Sequence, residues 1–263
     1  MELDDAYANA AYIPGADAFP EGWERRAAGF REGMIEQGLA ELGIPYGDSA
    51  RQRFDLFVPR ETPKGLFAFV HGGYWLRFDK SVWSHLAGGM LHHGWAVAMP
   101  SYDLAPDVTI AQITGQIARF CAVAAQRVAG PVRLAGHSAG GHLVARMAVP
   151  GVLPEAVAAR LAHVMPISPV ADLRPLLQTS MNAQFGLDMA AAEAESPVLQ
   201  RPRPGLAVTA WVGGDERPAF LDQARWLAEA WGCAHVVEAT KHHFDVIDGL
   251  ADADSAMVKT LLS

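Results

Sequence analysis

Cysteine is scarce in this chain. Two residues, Cys121 and Cys233, stand far apart in 263. That number cannot build a disulfide framework, so the core must come from packing, and the two are expected as buried, reduced thiols. No uninterrupted apolar run is long enough to span a bilayer. The amino terminus, Met1-Glu2-Leu3-Asp4-Asp5, lacks the basic start and apolar core of a secretory leader. A cytoplasmic protein is therefore expected, with no membrane partner. Runs of lysine and arginine are also missing and the formal net charge is -8, which argues against a nucleic-acid partner. There is no H-E-x-x-H, no paired Cys and His set, no G-x-G-x-x-G and no Walker loop, so no metal and no cofactor are expected.

What the chain does contain is a regular alternation of buried-strand and helix patterns. Residues 1 to about 43 read as an N-terminal arm, with Tyr7, Tyr12, Phe19 and Trp23 as anchors and one or two amphipathic helices from Glu21 to Leu42. Arg51 to Pro59 alternates polar and apolar residues and stops at a proline, as an edge strand does. Continuous apolar runs follow at Gly65–Val70, Trp95–Pro100, Pro131–Ala135, Ala162–Ser168 and Leu206–Val212, with a last strand at Ala234–Glu238. Helical patterns lie between them at Lys80–His92, Val108–Val128, Gly141–Met147 and Phe220–Trp231, and a closing helix is expected from Phe244 to Leu262. Pro169 to Pro204 is irregular and reads as a small cap-like insertion. The expectation is one α/β domain over 1–263 with a mostly parallel central sheet covered by helices on both faces.

In such a sheet, ligand chemistry belongs at the carboxyl ends of the strands. Four stretches fall there. Gly136-His137-Ser138-Ala139-Gly140 links a strand to a helix, the context in which G-x-S-x-G forms a nucleophile elbow. A serine hydroxyl is a poor nucleophile at neutral pH, so Ser138 needs a base and the base needs an orienting acid. His242 and His243, after the last strand, are the candidate bases. Asp215 and Glu216, after the strand ending at Val212, are the candidate acids, with Glu216 favoured. Charge that develops on a carbonyl oxygen requires preorganised N–H donors, for which Gly72, Gly73 and the amide of Ala139 are the candidates. His71 is expected to hold that loop by hydrogen bonding. Tyr74 and Trp75 continue it and are expected to be carried into the cleft as substrate-binding side chains.

The motifs His71-Gly72-Gly73-Tyr74-Trp75, Gly136 to Leu143, Asp172-Leu173-Arg174-Pro175, Ser196-Pro197 and His243-Phe244-Asp245 together resemble the kynurenine formamidase (arylformamidase) group of α/β-hydrolases, over most of residues 46 to 250. That resemblance implies an α/β-hydrolase fold with the chain order Ser, acid, His. It also implies a base that directly precedes a phenylalanine, which selects His243. The family's acid is an aspartate four residues before the phenylalanine of a P-x-F element. Counting from Pro218-Ala219-Phe220 lands on Glu216, a departure from the usual aspartate. The implied activity is hydrolysis of N-formyl-L-kynurenine, a small-molecule acyl substrate. A short-acyl carboxylesterase or amidase requires the same machinery, and a non-catalytic ligand receptor on the same fold is the remaining alternative. Oligomeric state is not legible in the sequence.

Overall fold

The computed structural model describes residues 1–263. Its centre is an eight-stranded sheet of β1 (Ala40–Pro45), β2 (Arg53–Phe57), β3 (Leu66–Val70), β4 (Ala96–Pro100), β5 (Val132–His137), β6 (Leu161–Ile167), β7 (Ala207–Gly213) and β8 (Ala234–Glu238). The spatial order is β1-β2-β4-β3-β5-β6-β7-β8. The β1–β2 and β2–β4 pairings are antiparallel and the other five are parallel. Every residue of β3 and β4 is buried, as continuous apolar runs require when helices cover both faces. The core divides accordingly. One cluster, on one face, centres on the helix Ile110–Arg127 and the helix Ala139–Met147. The other contains Trp23, Trp83, Leu86 and the C-terminal Val258 and Leu261.

Three expectations are corrected. The stretch Arg51–Pro59 is not the edge of the sheet, because Ala40–Pro45, expected as the end of a helical arm, pairs outside it as β1. The arm's helix runs Phe19–Glu36 only. Inclusion of β2 between two partners buries Asp55, and the Lys80 ammonium meets its carboxylate at 2.8 Å, the pairing that a buried charge requires. The segment Lys80–His92 is a series of short turns ending in one helical turn, Gly88–His92, instead of a continuous helix. Close approach explains this: a Cβ at Gly89 would lie 2.5 Å from the Leu250 carbonyl oxygen. The closing helix is likewise split, into Val246–Ala251 and Ala256–Leu262. Ser255 caps the second piece by accepting from the Val258 amide, a side-chain competition that starts a new helix.

The segment between β6 and β7 is built from short helices at Arg174–Gln178, Asn182–Phe185, Met189–Glu195 and Pro197–Leu199. Cys121 is buried and Cys233 half-buried, both as free thiols. Burial pushes the Cys121 thiol up to about 12. No helix is long and apolar enough to cross a membrane.

Burial also sets an acid limit on stability. Desolvation lowers His71, His85, His142 and His163 to about 4 each, against about 6.5 for an unfolded histidine. Between those values the unfolded chain binds more protons than the folded one, so stability falls as pH drops from about 6.5 towards 4. Urea unfolding at pH 7.5, 6 and 5 should therefore give a free energy that declines on acidification, with net proton uptake. A flat profile would contradict the neutral, buried state of these imidazoles.

Candidate active site

The turn after β5 is the sharpest feature of the chain. Ser138 has φ 56° and ψ −116°, a left-handed conformation that a non-glycine residue adopts at a cost of roughly 1–3 kcal/mol. The surrounding glycines are required by distance. A Cβ at Gly140 would stand 2.0 Å from the Val70 carbonyl oxygen, and one at Gly136 would stand 2.2 Å from the Gly140 oxygen. The strand and helix thus press together beneath Ser138. The Ser138 amide is tied to the Ile167 carbonyl of β6 at 2.8 Å.

The loop after β3 lies directly against this turn: a Cβ at Gly72 would be 2.9 Å from Ser138 Cβ. The amides of Gly72, Gly73 and Ala139 donate to no carbonyl of the chain, and Ala139 opens a nine-residue helix whose first N–H groups point outward. His71 holds the loop from below. Its Nδ1–H donates to the Gly72 carbonyl at 2.7 Å, and its ring stacks on Tyr102 at 4.4 Å. Burial keeps it neutral, at about 4.

His243 and Glu216 meet at 2.5 Å through Nδ1 and Oε2, with side chains 5% and 0% exposed. Glu216 Oε1 accepts from the Gly213 amide at 2.9 Å and from the Ser168 hydroxyl. Three donors therefore fix one carboxylate, and it fixes the imidazole. Nε2 of His243 has no partner in the chain. Phe220 packs on the ring at 4.3 Å. Ser168 lies in the left-handed region, φ 46°, which turns it across β7 towards Glu216. Ser168 belongs to the Ile167-Ser168-Pro169 piece of the family resemblance, but the sequence carries no sign of its bond to Glu216.

The alternatives at both positions are arranged differently. Asp215 is exposed and its carboxylate makes no hydrogen bond, so the structure does not bring it to the imidazole. Its backbone amide instead bonds the Lys241 carbonyl, and the sharp turn sends adjacent side chains to opposite sides. His242 pairs with Asp245 at 3.1 Å and packs edge-on against Phe19. Trp75 is corrected outright. It is fully buried and packs edge-on against His142 and Phe185 at 5.2 and 5.6 Å, because Tyr74 and Trp75 both take positive φ and the turn sends the second ring down into the core. Tyr74 does face the cavity, and its hydroxyl donates to the Tyr7 carbonyl at 2.6 Å.

Ser138, His243, Gly72 and Gly73 open on one cavity of about 460 Å³. Much of its wall comes from the N-terminal arm, from Asp4 to Trp23, whereas the segment 169–204 supplies only Ser180 and Met181. The sequence presents the arm as an anchor and gives no sign that it walls the site. It is pinned by the Arg217–Asp5 ion pair at 2.7 Å and by Gln223, which donates to the Tyr7 hydroxyl at 2.8 Å. Trp23 also stacks edge-on with Phe244 at 5.3 Å, so the arm buttresses the loop that carries His243. No three His, Cys, Asp or Glu side chains assemble as a metal set.

A strand-turn-helix with a left-handed serine, a preceding glycine loop and a late histidine is the geometry of a known fold, and the model of the alpha/beta hydrolase family matches residues 67–260. The chain belongs to the alpha/beta hydrolase family. Within that family this hydrolase is similar to the kynurenine formamidases named by its motifs. The Drosophila melanogaster enzyme is 29% identical over 254 residues, 88% of this chain and 83% of that one. The Salmo salar enzyme is 27% identical over 243 residues, 86% and 83% of the two chains. Among solved structures, a protein from a Silicibacter species provisionally assigned as a thioesterase superposes with a TM-score of 0.98 at 59% identity over the whole of both chains. Esterase B of Lactobacillus rhamnosis superposes with a TM-score of 0.65 at 18% identity, covering 92% and 93%, which shows the hydrolase fold.

Proposed function

We propose that this hydrolase cleaves a small acyl group through a Ser138–His243–Glu216 triad and an acyl-enzyme, and that its substrate is N-formyl-L-kynurenine. The observation that carries the reading is the buried His243–Glu216 pair, with a free Nε2, on the same cavity as the left-handed Ser138. Glu216 holds Nδ1–H and so leaves Nε2 as the basic nitrogen. Nε2 takes the proton of Ser138 Oγ as that oxygen attacks the formyl carbon. The carbonyl oxygen becomes an oxyanion that accepts from the Gly72, Gly73 and Ala139 amides. His243 then returns the proton to the aniline nitrogen, the C–N bond breaks, and a formyl ester of Ser138 remains. Water, deprotonated by His243, attacks that ester and releases formate and Ser138.

The names of the Drosophila and salmon relatives, both matched over most of their length, support the formamide. The thioesterase assignment of the 59% identical structure supports a second reading, a short-acyl esterase or thioesterase using the same residues. The test is kcat/KM on N-formyl-L-kynurenine, p-nitrophenyl acetate and an acetyl thioester, side by side. A clear preference for the formamide is expected. Turnover of the ester or thioester alone would move the protein to the second reading. If a serine-directed organophosphonate left no adduct on Ser138, the catalytic reading itself would fall and a ligand receptor would replace it.

A further inference from the structure

A second pocket, of about 250 Å³, shares no wall residue with the catalytic cavity. Arg51 and Arg53 at the start of β2, the turn Asp79-Lys80-Ser81 and Ser101 after β4 form most of it. Three of these side chains are cations and one is an anion, in a chain whose formal net charge is -8. Lys80 is accounted for by the buried Asp55. The two arginines are not. Both are half-buried, and every hydrogen bond they make goes to a backbone carbonyl. Arg51 donates through Nε to Tyr102 at 2.7 Å and through Nη2 to Phe78 at 2.5 Å. Arg53 donates through Nη1 alone, to Gly47 at 3.0 Å and to Ser49 and Gln52 at 2.9 Å. Nη1 of Arg51, and Nε and Nη2 of Arg53, donate to nothing in the chain, and no carboxylate forms an ion pair with either guanidinium.

Charge taken partly out of water is ordinarily paired, so two clamped guanidinium groups with no counter-charge point to an anion from outside the chain. Their carbonyl clamps hold them in position, so little freedom is lost on binding. Ser101 adds a donor: its oxygen accepts from the Lys80 amide at 3.0 Å and its proton is donated to no group of the chain. Asp79, the carboxylate on the wall, is engaged by the amide and hydroxyl of Ser81 at 2.7 and 2.6 Å. We propose that this pocket binds a phosphate group, free or as a monoester, through the unused N–H groups of Arg51 and Arg53 and the Ser101 hydroxyl. Donors from two arginines and a serine suit an oxyanion that presents several oxygens in different directions, whereas a planar carboxylate is satisfied by a single guanidinium fork. The site is independent of the reaction at Ser138.

Calorimetric titration with inorganic phosphate, glycerol phosphate and glycerol, at matched ionic strength in chloride, tests the assignment. Both phosphates should bind and glycerol should not. Tighter binding of glycerol phosphate would identify a monoester as the ligand class, and equal binding the free ion. Arg51→Gln or Arg53→Gln should weaken binding by roughly tenfold or more, the loss expected for a charge-assisted hydrogen bond. Asp79→Asn keeps an acceptor for Ser81 and removes the like charge, so it should tighten binding severalfold, a gain that misfolding cannot imitate. Arg77→Gln removes an exposed arginine of the catalytic cavity and should change nothing. Absence of binding up to about 10 mM phosphate, far weaker than a built site gives, overturns the proposal. So does an affinity that survives both arginine substitutions, or one that is lost with Arg77→Gln, which would put the anion in the catalytic cavity.

Discussion

Ser138→Ala should lower kcat/KM on the preferred acyl substrate by a thousandfold or more, up to about a millionfold, with the fold and melting temperature retained or slightly raised. The range follows from serine hydrolases in general, where removing the nucleophile leaves only the catalysis due to binding and the oxyanion donors. The stability expectation has a local cause. Ser138 sits in the left-handed region at φ 56°, between a strand and a helix too close for any Cβ at Gly136 or Gly140, and alanine occupies that conformation at no greater cost than serine. The hydroxyl itself makes no hydrogen bond whose loss would unfold anything. Steady-state kinetics and a thermal melt on one preparation check both halves. His243→Ala alone should cost a similar factor, and the double variant little more, since the two act as one unit. Additive losses would show that the two side chains do not cooperate.

Glu216→Gln should cost about a thousandfold to ten-thousandfold in kcat, with a much smaller change in KM. The carboxylate accepts from three donors at once, the His243 imidazole, the Gly213 amide and the Ser168 hydroxyl. A glutamine in the same place can keep the last two through its oxygen but turns an N–H₂ towards His243 Nδ1. That arrangement stabilises the wrong tautomer, in which Nε2 carries the proton and cannot act as a base. Because the pair is buried, the substitution also leaves a developing imidazolium without its counter-charge. Asp215→Asn is the control: its side chain is exposed and bonded to nothing, so kcat should change by less than about twofold. Equal losses at the two positions would remove the special standing of Glu216. Glu216→Asp should fall between, because the shorter side chain must choose between the imidazole and the Gly213 amide.

The two experiments weigh differently on what can be read from a sequence. The elbow was legible because its chemistry imposes local constraints: glycines two places either side of a serine, an apolar strand before it and a helix after it, all within about fifteen residues. The parallel sheet was legible for a related reason, since strands covered on both faces must be apolar throughout, as β3 and β4 are. Glu216 was reached by counting from Phe220. The packing of Phe220 on the His243 ring at 4.3 Å gives that count a physical meaning.

Other features depend on contacts between residues distant in the chain, and no local pattern encodes those. The stretch Ala40–Pro45 reads as the tail of a helix, but an unpaired edge beside β2 recruits it into the sheet. Trp75 reads as a cleft residue because its neighbours are, yet two successive left-handed residues rotate it into the core. The wall of the cavity was the least legible feature, because residues 4 to 23 are held there by tethers such as those to Arg217, Gln223 and Ser180, 176 to 216 positions away. The sequence by itself determined the apolar strands of the parallel sheet and the strand-turn-helix at Ser138, each of which is a short-range pattern under steric or burial constraint. Only the tertiary structure decided that Ala40–Pro45 joins the sheet and that residues 4 to 23 wall the cavity, because both depend on residues that meet across the fold rather than along the chain.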